Sequence, residues 1–230
     1  MSTHHPFPKS ARKRFEILKS AAAVFRRRGY YGASVEEIAS ALNMTKGNLY
    51  YYFKNKEEIL FVCHDYALDI ILEHLNAVEV SADPPDRKVH RLVTGFVHLF
   101  IDVLQGMAWT IDVEPLSPPL RKRVIAKRDR FDAGLRRILQ EGIEQGVFSG
   151  SDSKLLSFAI LGAINWIPRW YDPSGRASSN EIAEVFATFL VRGLRPDNLG
   201  AAAGERRPRA AKPDRSSASV RSVLNVPSTS

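Results

Sequence analysis

The sequence predicts an all-α protein of about nine helices, in which an N-terminal helix-turn-helix precedes a larger helical body. Three observations predict it. Apolar residues recur at helical spacing in one segment after another. Side-chain caps and Pro or Gly breaks separate those segments, and no stretch keeps the alternation of a strand.

From Lys9 the pattern is helical, with Ile17, Leu18, Ala21, Ala22, Val24 and Phe25 on one face. Arg26, Arg27 and Arg28 suit the dipole of its last turn, and Gly29 supplies the stop. Ser34 opens a second, two-turn helix with Glu37 completing a capping box, and Ile38, Ala39 and Leu42 face inward. Asn43 tolerates the left-handed conformation that ends it. Thr45 caps a third helix over 46–52, and Asn55 with Glu58 caps a long fourth one. Its apolar stripe includes Ile59, Leu60, Val62, Cys63, Tyr66, Ile70 and Leu75. After the Asp83-Pro84-Pro85 break, helices are predicted over 86–106, 110–116, 119–146, 152–170 and 179–195. Pro168 should kink or end the helix that contains it. The predicted organisation is a loose start at 1–8, a helix-turn-helix domain at 9–55, a second domain at 56–198 and a basic, disordered tail at 199–230.

The composition narrows the function classes. No apolar run approaches membrane-spanning length, the start lacks a signal-peptide pattern, and the single cysteine, Cys63, suits a reducing cytoplasm. The net charge of +8 is uneven: residues 1–60 carry +6, residues 61–200 carry −2, and residues 201–230 carry +4. A basic N-terminal segment on a near-neutral body is the footprint of a polyanion-binding protein. No phosphate-cradling Gly-rich loop or nucleophile elbow is present, so an enzyme is not expected and no cofactor is implied. A packaging protein would not need so large a body with so little basic excess. His98 and Asp102 have the spacing of many metal pairs, with His90 two turns earlier, but no Cys and no second pair joins them.

The third helix spans roughly 10 Å, about what the major groove of DNA admits. Leu49 and Phe53 should anchor it, leaving Thr45, Lys46, Asn48, Tyr50 and Tyr51 exposed. Gly47 would let the backbone approach DNA. Asn48 suits a base edge, and the tyrosines suit thymine methyls or phosphates. Ser34 and Lys56, each at a helix start, are expected to clamp phosphates. Arg12, Lys13 and Arg14 form a possible basic arm.

These residues resemble a family. The run Tyr30-Tyr31-Gly32-Ala33-Ser34-Val35-Glu36-Glu37-Ile38-Ala39 and the run from Lys46 through Tyr50-Tyr51-Tyr52-Phe53-Lys54-Asn55-Lys56 to Leu60 closely resemble the TetR family of repressors. The resemblance implies a homodimer that holds a double-stranded operator, with a ligand pocket in its C-terminal domain. Tyr52 departs from the family, which usually has His there; its hydroxyl still reaches a phosphate, but it does not titrate near neutral pH.

In the second half, Leu155, Ala159, Gly162, Trp166 and Trp170 form one stripe, and Ile182, Val185, Phe186, Phe189 and Leu190 another. Two such helices per subunit would build a four-helix dimer interface, or else bury within one domain. The run Ala163-Ile164-Asn165-Trp166-Ile167-Pro168-Arg169-Trp170-Tyr171 resembles a TetR subgroup that controls fatty-acid, phenylacetate or steroid-ring degradation and answers to acyl-coenzyme A thioesters. That resemblance makes Phe96, Phe100, Met107, Trp109, Asn165 and Trp166 candidate channel residues, and Arg169, Arg121, Arg123 and Arg128 candidate diphosphate partners. The alternative is a TetR-type regulator of an efflux pump or other pathway that answers to a hydrophobic ligand without coenzyme A.

Overall fold

The computed structural model describes residues 9–104, 112–150 and 152–196, with side chains from Lys13 onward. Their elements are α1 (Lys9–Gly32), α2 (Val35–Ser40), α3 (Lys46–Tyr52), α4 (Lys56–Glu79), α5 (Pro85–His98), a π-helical segment (Leu99–Val103), α6 (Pro118–Glu144), α7 (Ser153–Trp170) and α8 (Ser179–Leu194). The described residues contain no strand, as the periodicity predicts. No helix among them is long and apolar enough to cross a membrane.

Local chemistry accounts for the boundaries. Gly29 takes φ 67°, ψ 168°, which breaks α1 where the stop is predicted and leaves Tyr30–Gly32 as a separate turn. The Ser34 hydroxyl accepts the Glu37 amide at 3.0 Å. The second half of the expected capping box is not made. Glu37 turns its carboxylate to Arg27 (2.6 Å) and Arg28 (3.6 Å), because guanidinium groups are stronger partners than a backbone amide. A complete box forms instead at Ser178 and Glu181, at the start of α8. Asn43 has φ 52°, the left-handed turn expected of it. Asn55 caps α4 by accepting the Glu58 amide at 2.8 Å.

Two predicted segments differ. The helix expected over 86–106 leaves α geometry at Leu99, where the Leu104 amide donates five residues back to the Leu99 carbonyl at 2.7 Å. Of the short helix expected at 110–116, residues 113–116 are turn and bend, held by the Leu116 amide on the Val113 carbonyl, and 112 is irregular; 110 and 111 lie outside the described residues, as do 1–8 and the tail. Pro168 sits near the end of α7, which stops two residues later.

The core is arranged around α4. Its inward residues Leu60, Cys63, Ala67, Leu68, Ile71, Leu75 and Val78 are buried. The helix packs on α1 near its start and on α5 and α6 along its length, while α8 covers α5. Each such aliphatic side chain contributes about 1.5–3 kcal/mol by leaving water. Gly134 lets α6 come close to α4: a Cβ there would lie 2.5 Å from Leu75 Cδ2 and 3.1 Å from its Cγ. Around that apolar seam, Lys127 bridges Asp65 and Asp69 at 2.6 Å each, and Arg137 forks onto Glu79. Lys88 of α5, 7% exposed, meets Glu141 of α6 at 3.0 Å.

His64 lies inside this packing on α4. Burial first, and the neighbouring Arg128 guanidinium second, depress its pKa to about 3, against a hydrogen bond to the Asp112 backbone that pulls it up.

Two measurements follow from the α4–α6 seam. Gly134→Ala should lower the free energy of unfolding by about 1–3 kcal/mol, because Leu75 is fully enclosed and has nowhere to move. An unchanged urea midpoint would show that the seam has slack. An unfolded imidazole titrates near 6.5, so below that pH unfolded chains bind a proton that native His64 refuses. Stability is therefore complete above about pH 6.5 and drains as the pH falls towards 3, by about 2 kcal/mol between pH 7.5 and 5. His64→Gln should flatten that acid slope in paired urea titrations, and equal slopes would place its origin elsewhere.

Candidate nucleic-acid interface

The α2–α3 corner is made by backbone bonds that need no long side chains. The Leu42 and Met44 amides both donate to the Ala39 carbonyl, at 3.0 and 2.9 Å, and Asn43 supplies the left-handed step. Thr45 then caps α3, its hydroxyl accepting the Asn48 amide at 3.2 Å. Leu49 and Phe53, at 0% and 1% exposure, fix α3 to the core, and their spacing of four turns the opposite face outward. That outer face presents Lys46, Gly47, Asn48, Tyr50 and Tyr51, with Tyr51 84% exposed. Tyr52 is shared: its ring packs against the core and meets Tyr51 edge-on at 5.1 Å.

Charge on this face is partly neutralised from within. Lys46 pairs with Glu36 of α2 and lies 5.9 Å from the Tyr50 ring. The hydrogen bond to Glu36 raises the Lys46 pKa, and the same bond lowers that of Glu36. Gly47 is not required by packing, since a Cβ there would find only Thr45 Oγ1, at 3.9 Å.

Lys56, expected to clamp a phosphate, is committed elsewhere. Its ammonium donates to the Tyr30 and Ala33 carbonyls at 2.8 and 2.9 Å and lies 4.4 Å from the centre of the Tyr30 ring. Carbonyls at a helix end lack intrahelical donors, and a cation 26 residues along the chain satisfies them. Ser34 is exposed beside the same turn, its oxygen holding the Glu37 amide while its own O–H can still donate. Of the possible basic arm, the Arg12 side chain lies outside the described residues. Lys13 pairs with Glu16, and Arg14 stacks over Phe53 at 4.9 Å. Tyr31, 84% exposed beside Ser34, is a surface aromatic that periodicity did not single out.

The candidate effector residues do not converge. Phe96 and Phe100 are core residues, stacked on each other at 5.8 Å, and Phe96 lies 5.8 Å from Phe131. Met107 and Trp109 lie outside the described residues. Asn165 is half-buried, with its Oδ1 enclosed and unpartnered. Trp166 is 53% exposed and Arg169 stacks on its ring at 5.5 Å, so this pair sits on the outer face of α7. The reason is register: Ile160, Ile164 and Ile167 take the inward face and turn 166 and 169 away from it. The other arginines are dispersed. Arg121 pairs with Glu114, Arg123 lies over Phe61 at 4.6 Å, and Arg128 is half-buried near Asp112.

Leu155, Ala159, Gly162, Trp166 and Trp170 share the exposed side of α7. The α8 stripe divides, with Ile182 turned inward and Val185 and Phe189 outward at 63% and 76% exposure. His98 pairs with Asp102 and His90 with Glu184, and the described residues contain no group of three or more metal-binding side chains.

Two contacts from the first turn of α4 were not readable from spacing. One is the Lys56 grip on the α1–α2 junction. The other joins Glu57 to the start of α6, its carboxylate accepting the Ser117 amide at 2.7 Å.

Comparison with known proteins agrees with this architecture. Residues 17–63 match the model for bacterial regulatory proteins of the tetR family, and residues 82–194 match a tetracyclin repressor-like C-terminal domain. The TetR family transcriptional regulator PfmR from Thermus thermophilus is 35% identical, over 78% of this chain and 98% of that one, with a TM-score of 0.70. AibR, solved with isovaleryl coenzyme A and operator DNA, is 26% identical over 80% and 98% of the two chains, at a TM-score of 0.64. The transcriptional repressor KstR2 of Mycobacterium tuberculosis is 24% identical over 81% of this chain and 95% of its own. With both halves matched and a 35% identical relative spanned almost end to end, this chain belongs to the TetR family of bacterial transcriptional regulators.

Proposed function

We propose that the protein is a cytoplasmic, homodimeric repressor that holds a two-fold operator through α3 and releases it when a small molecule, an acyl-coenzyme A thioester, occupies the C-terminal domain. The observation that carries the reading is the outward face of α3, polar and aromatic residues on a helix locked from behind by Leu49 and Phe53. On DNA, Thr45, Lys46, Asn48, Tyr50 and Tyr51 read base edges, and Lys46 exchanges Glu36 for the polyanion. Gly47 keeps the backbone close, a role favoured by the open space around its Cα. Ser34 and Tyr52 donate hydroxyls to phosphates. Lys56 acts indirectly, holding α1 and α2 in position for α3.

The dimer is supported by apolar surface that a lone chain leaves in water. Leu155, Trp166, Trp170, Val185 and Phe189 are all exposed on α7 and α8. Pairing these two helices with a second copy makes a four-helix interface. It also spaces two α3 helices for half-sites about one helical turn apart, or a multiple of that.

The effector reading rests on AibR, whose structure holds isovaleryl coenzyme A, and on buried polarity in the C-terminal domain. His64 Nε2 and Asn165 Oδ1 are among the buried side-chain atoms of this domain that lack a hydrogen-bond partner, polarity that a ligand's polar groups would satisfy. Release then runs through α4. A ligand that shifts α6 pulls on Glu57, and the same turn of α4 grips the helix-turn-helix through Lys56.

The test is a gel shift with DNA selected by the full-length protein from a random pool. The selected sites should be pseudo-palindromic, and Asn48→Ala should weaken them at least tenfold while leaving the melting curve unchanged. Isovaleryl coenzyme A and longer thioesters should release the DNA, whereas the free acids should not. Release by free hydrophobic compounds alone would favour the efflux-type alternative, and asymmetric, sequence-indifferent binding would sink the operator reading. Separately, Phe189→Arg should shift the protein from dimer to monomer in analytical ultracentrifugation. A persisting dimer would exclude the α8 face as its interface.

A further inference from the structure

We propose that the first two turns of α6 form a second, sequence-indifferent contact with the DNA backbone, made by Lys122 and Arg123. The inference rests on the operator-binding reading and extends it beyond the helix-turn-helix. The stretch Arg121–Arg130 holds six cations and one acid, Asp129, inside a region, residues 61–200, that is otherwise slightly acidic.

Most of these cations have duties within the fold. Arg121 pairs with Glu114, Lys127 with Asp65 and Asp69, Arg130 reaches Asn76 at 3.5 Å, and Arg128 is half-buried near Asp112. Lys122 and Arg123 are exposed, and no carboxylate among the described residues pairs with either. Arg123 is also pre-oriented, its guanidinium lying over the Phe61 ring at 4.6 Å.

Their position follows from two links. Ser117, at the start of α6, is tied to Glu57, and the adjacent Lys56 is tied to the α1–α2 junction. Phe61, which carries Arg123, is one turn further along α4. The two cations therefore stand at the DNA-reading end of the C-terminal domain. An open pair of charges suits an extended polyanion, which carries one negative charge per roughly 1.7 Å of duplex. It suits an enclosed ligand less well, because both side chains stand open to solvent.

The experiment measures affinity by fluorescence anisotropy between about 50 and 200 mM KCl, on a selected operator and on a scrambled duplex of equal length. The slope of log affinity against log salt should fall by roughly 0.9 per lost contact, close to 2 for the double variant Lys122→Gln/Arg123→Gln. Both duplexes should weaken by the same factor, leaving the specificity ratio intact. Lys122→Gln alone should give half the change, and Arg123→Lys should keep the slope, which separates charge from any loss of packing on Phe61. An unchanged slope in the double variant overturns the proposal. So does an unchanged slope together with a higher isovaleryl coenzyme A concentration for release, which would assign the two cations to the effector's phosphates. Asn48→Ala in the same titration is the reference: if it too leaves operator affinity unchanged, the fault lies in the reading of α3 and not in α6.

Discussion

The first turn of α4 is held from two directions. Lys56 reaches back to the Tyr30 and Ala33 carbonyls, and Glu57, one residue on, accepts the amide that opens α6. Hydrogen bonds to charged groups contribute about 1.5–3 kcal/mol each when shielded, and less where water competes. Their importance is geometric. Adjacent residues on a helix point about 100° apart, so one turn grips two different units without either contact loosening the other. The position of α3 depends on the α1–α2 junction, and that junction depends on Lys56.

Behind this turn, the α4–α6 seam is closely packed. Gly134 brings the backbones together over Leu75, and Lys127 and Arg137 clasp the rims. Exposed ion pairs of this kind add little stability, with a median of about 0–1 kcal/mol. They do restrict sliding along the seam, since each is matched to one register. The buried His64 lies within the same seam, next to Arg128. A polar molecule that satisfied His64 would therefore act on the helix that carries Lys56 eight residues earlier.

Much of the fold is legible in the sequence because its signals are local. Ser34, Asn43, Thr45 and Asn55 each declare a helix end through chemistry that acts within three or four residues, and each does what its type suggests. The exposed face of α3 is legible for the same reason, through the spacing of Leu49 and Phe53. What spacing cannot show is competition between distant partners. Lys56 resembles a phosphate clamp until the Tyr30 carbonyl arrives from 26 residues away, and Glu37 resembles half of a capping box until Arg27 does. The Trp166–Arg169 run illustrates a second limit. Composition marks α7 as amphipathic, but only packing decides that the isoleucines take the core and the tryptophans face out. The π-helical end of α5 had no sequence signal, since no Pro or Gly marks the change at Leu99.

The two kinds of surface left over divide the labour of such a regulator. Apolar side chains collect on α7 and α8, farthest along the chain from the reading head, where a second copy can cover them. Polar and aromatic side chains with Lys46 line α3, and cations collect at the start of α6, which the Glu57 link joins to the first turn of α4. On the proposed reading, affinity for DNA and affinity for a partner subunit rest on different physics at separate sites. The charged sites weaken with salt, while the apolar face does not. A dimer paired through that face would therefore persist through changes in ionic strength that loosen its hold on DNA, and release would not need to dismantle it. On the proposed reading only the relative placement of two reading heads would have to change, and in each chain the turn of α4 between Lys56 and Glu57 is what joins the helix-turn-helix to α6.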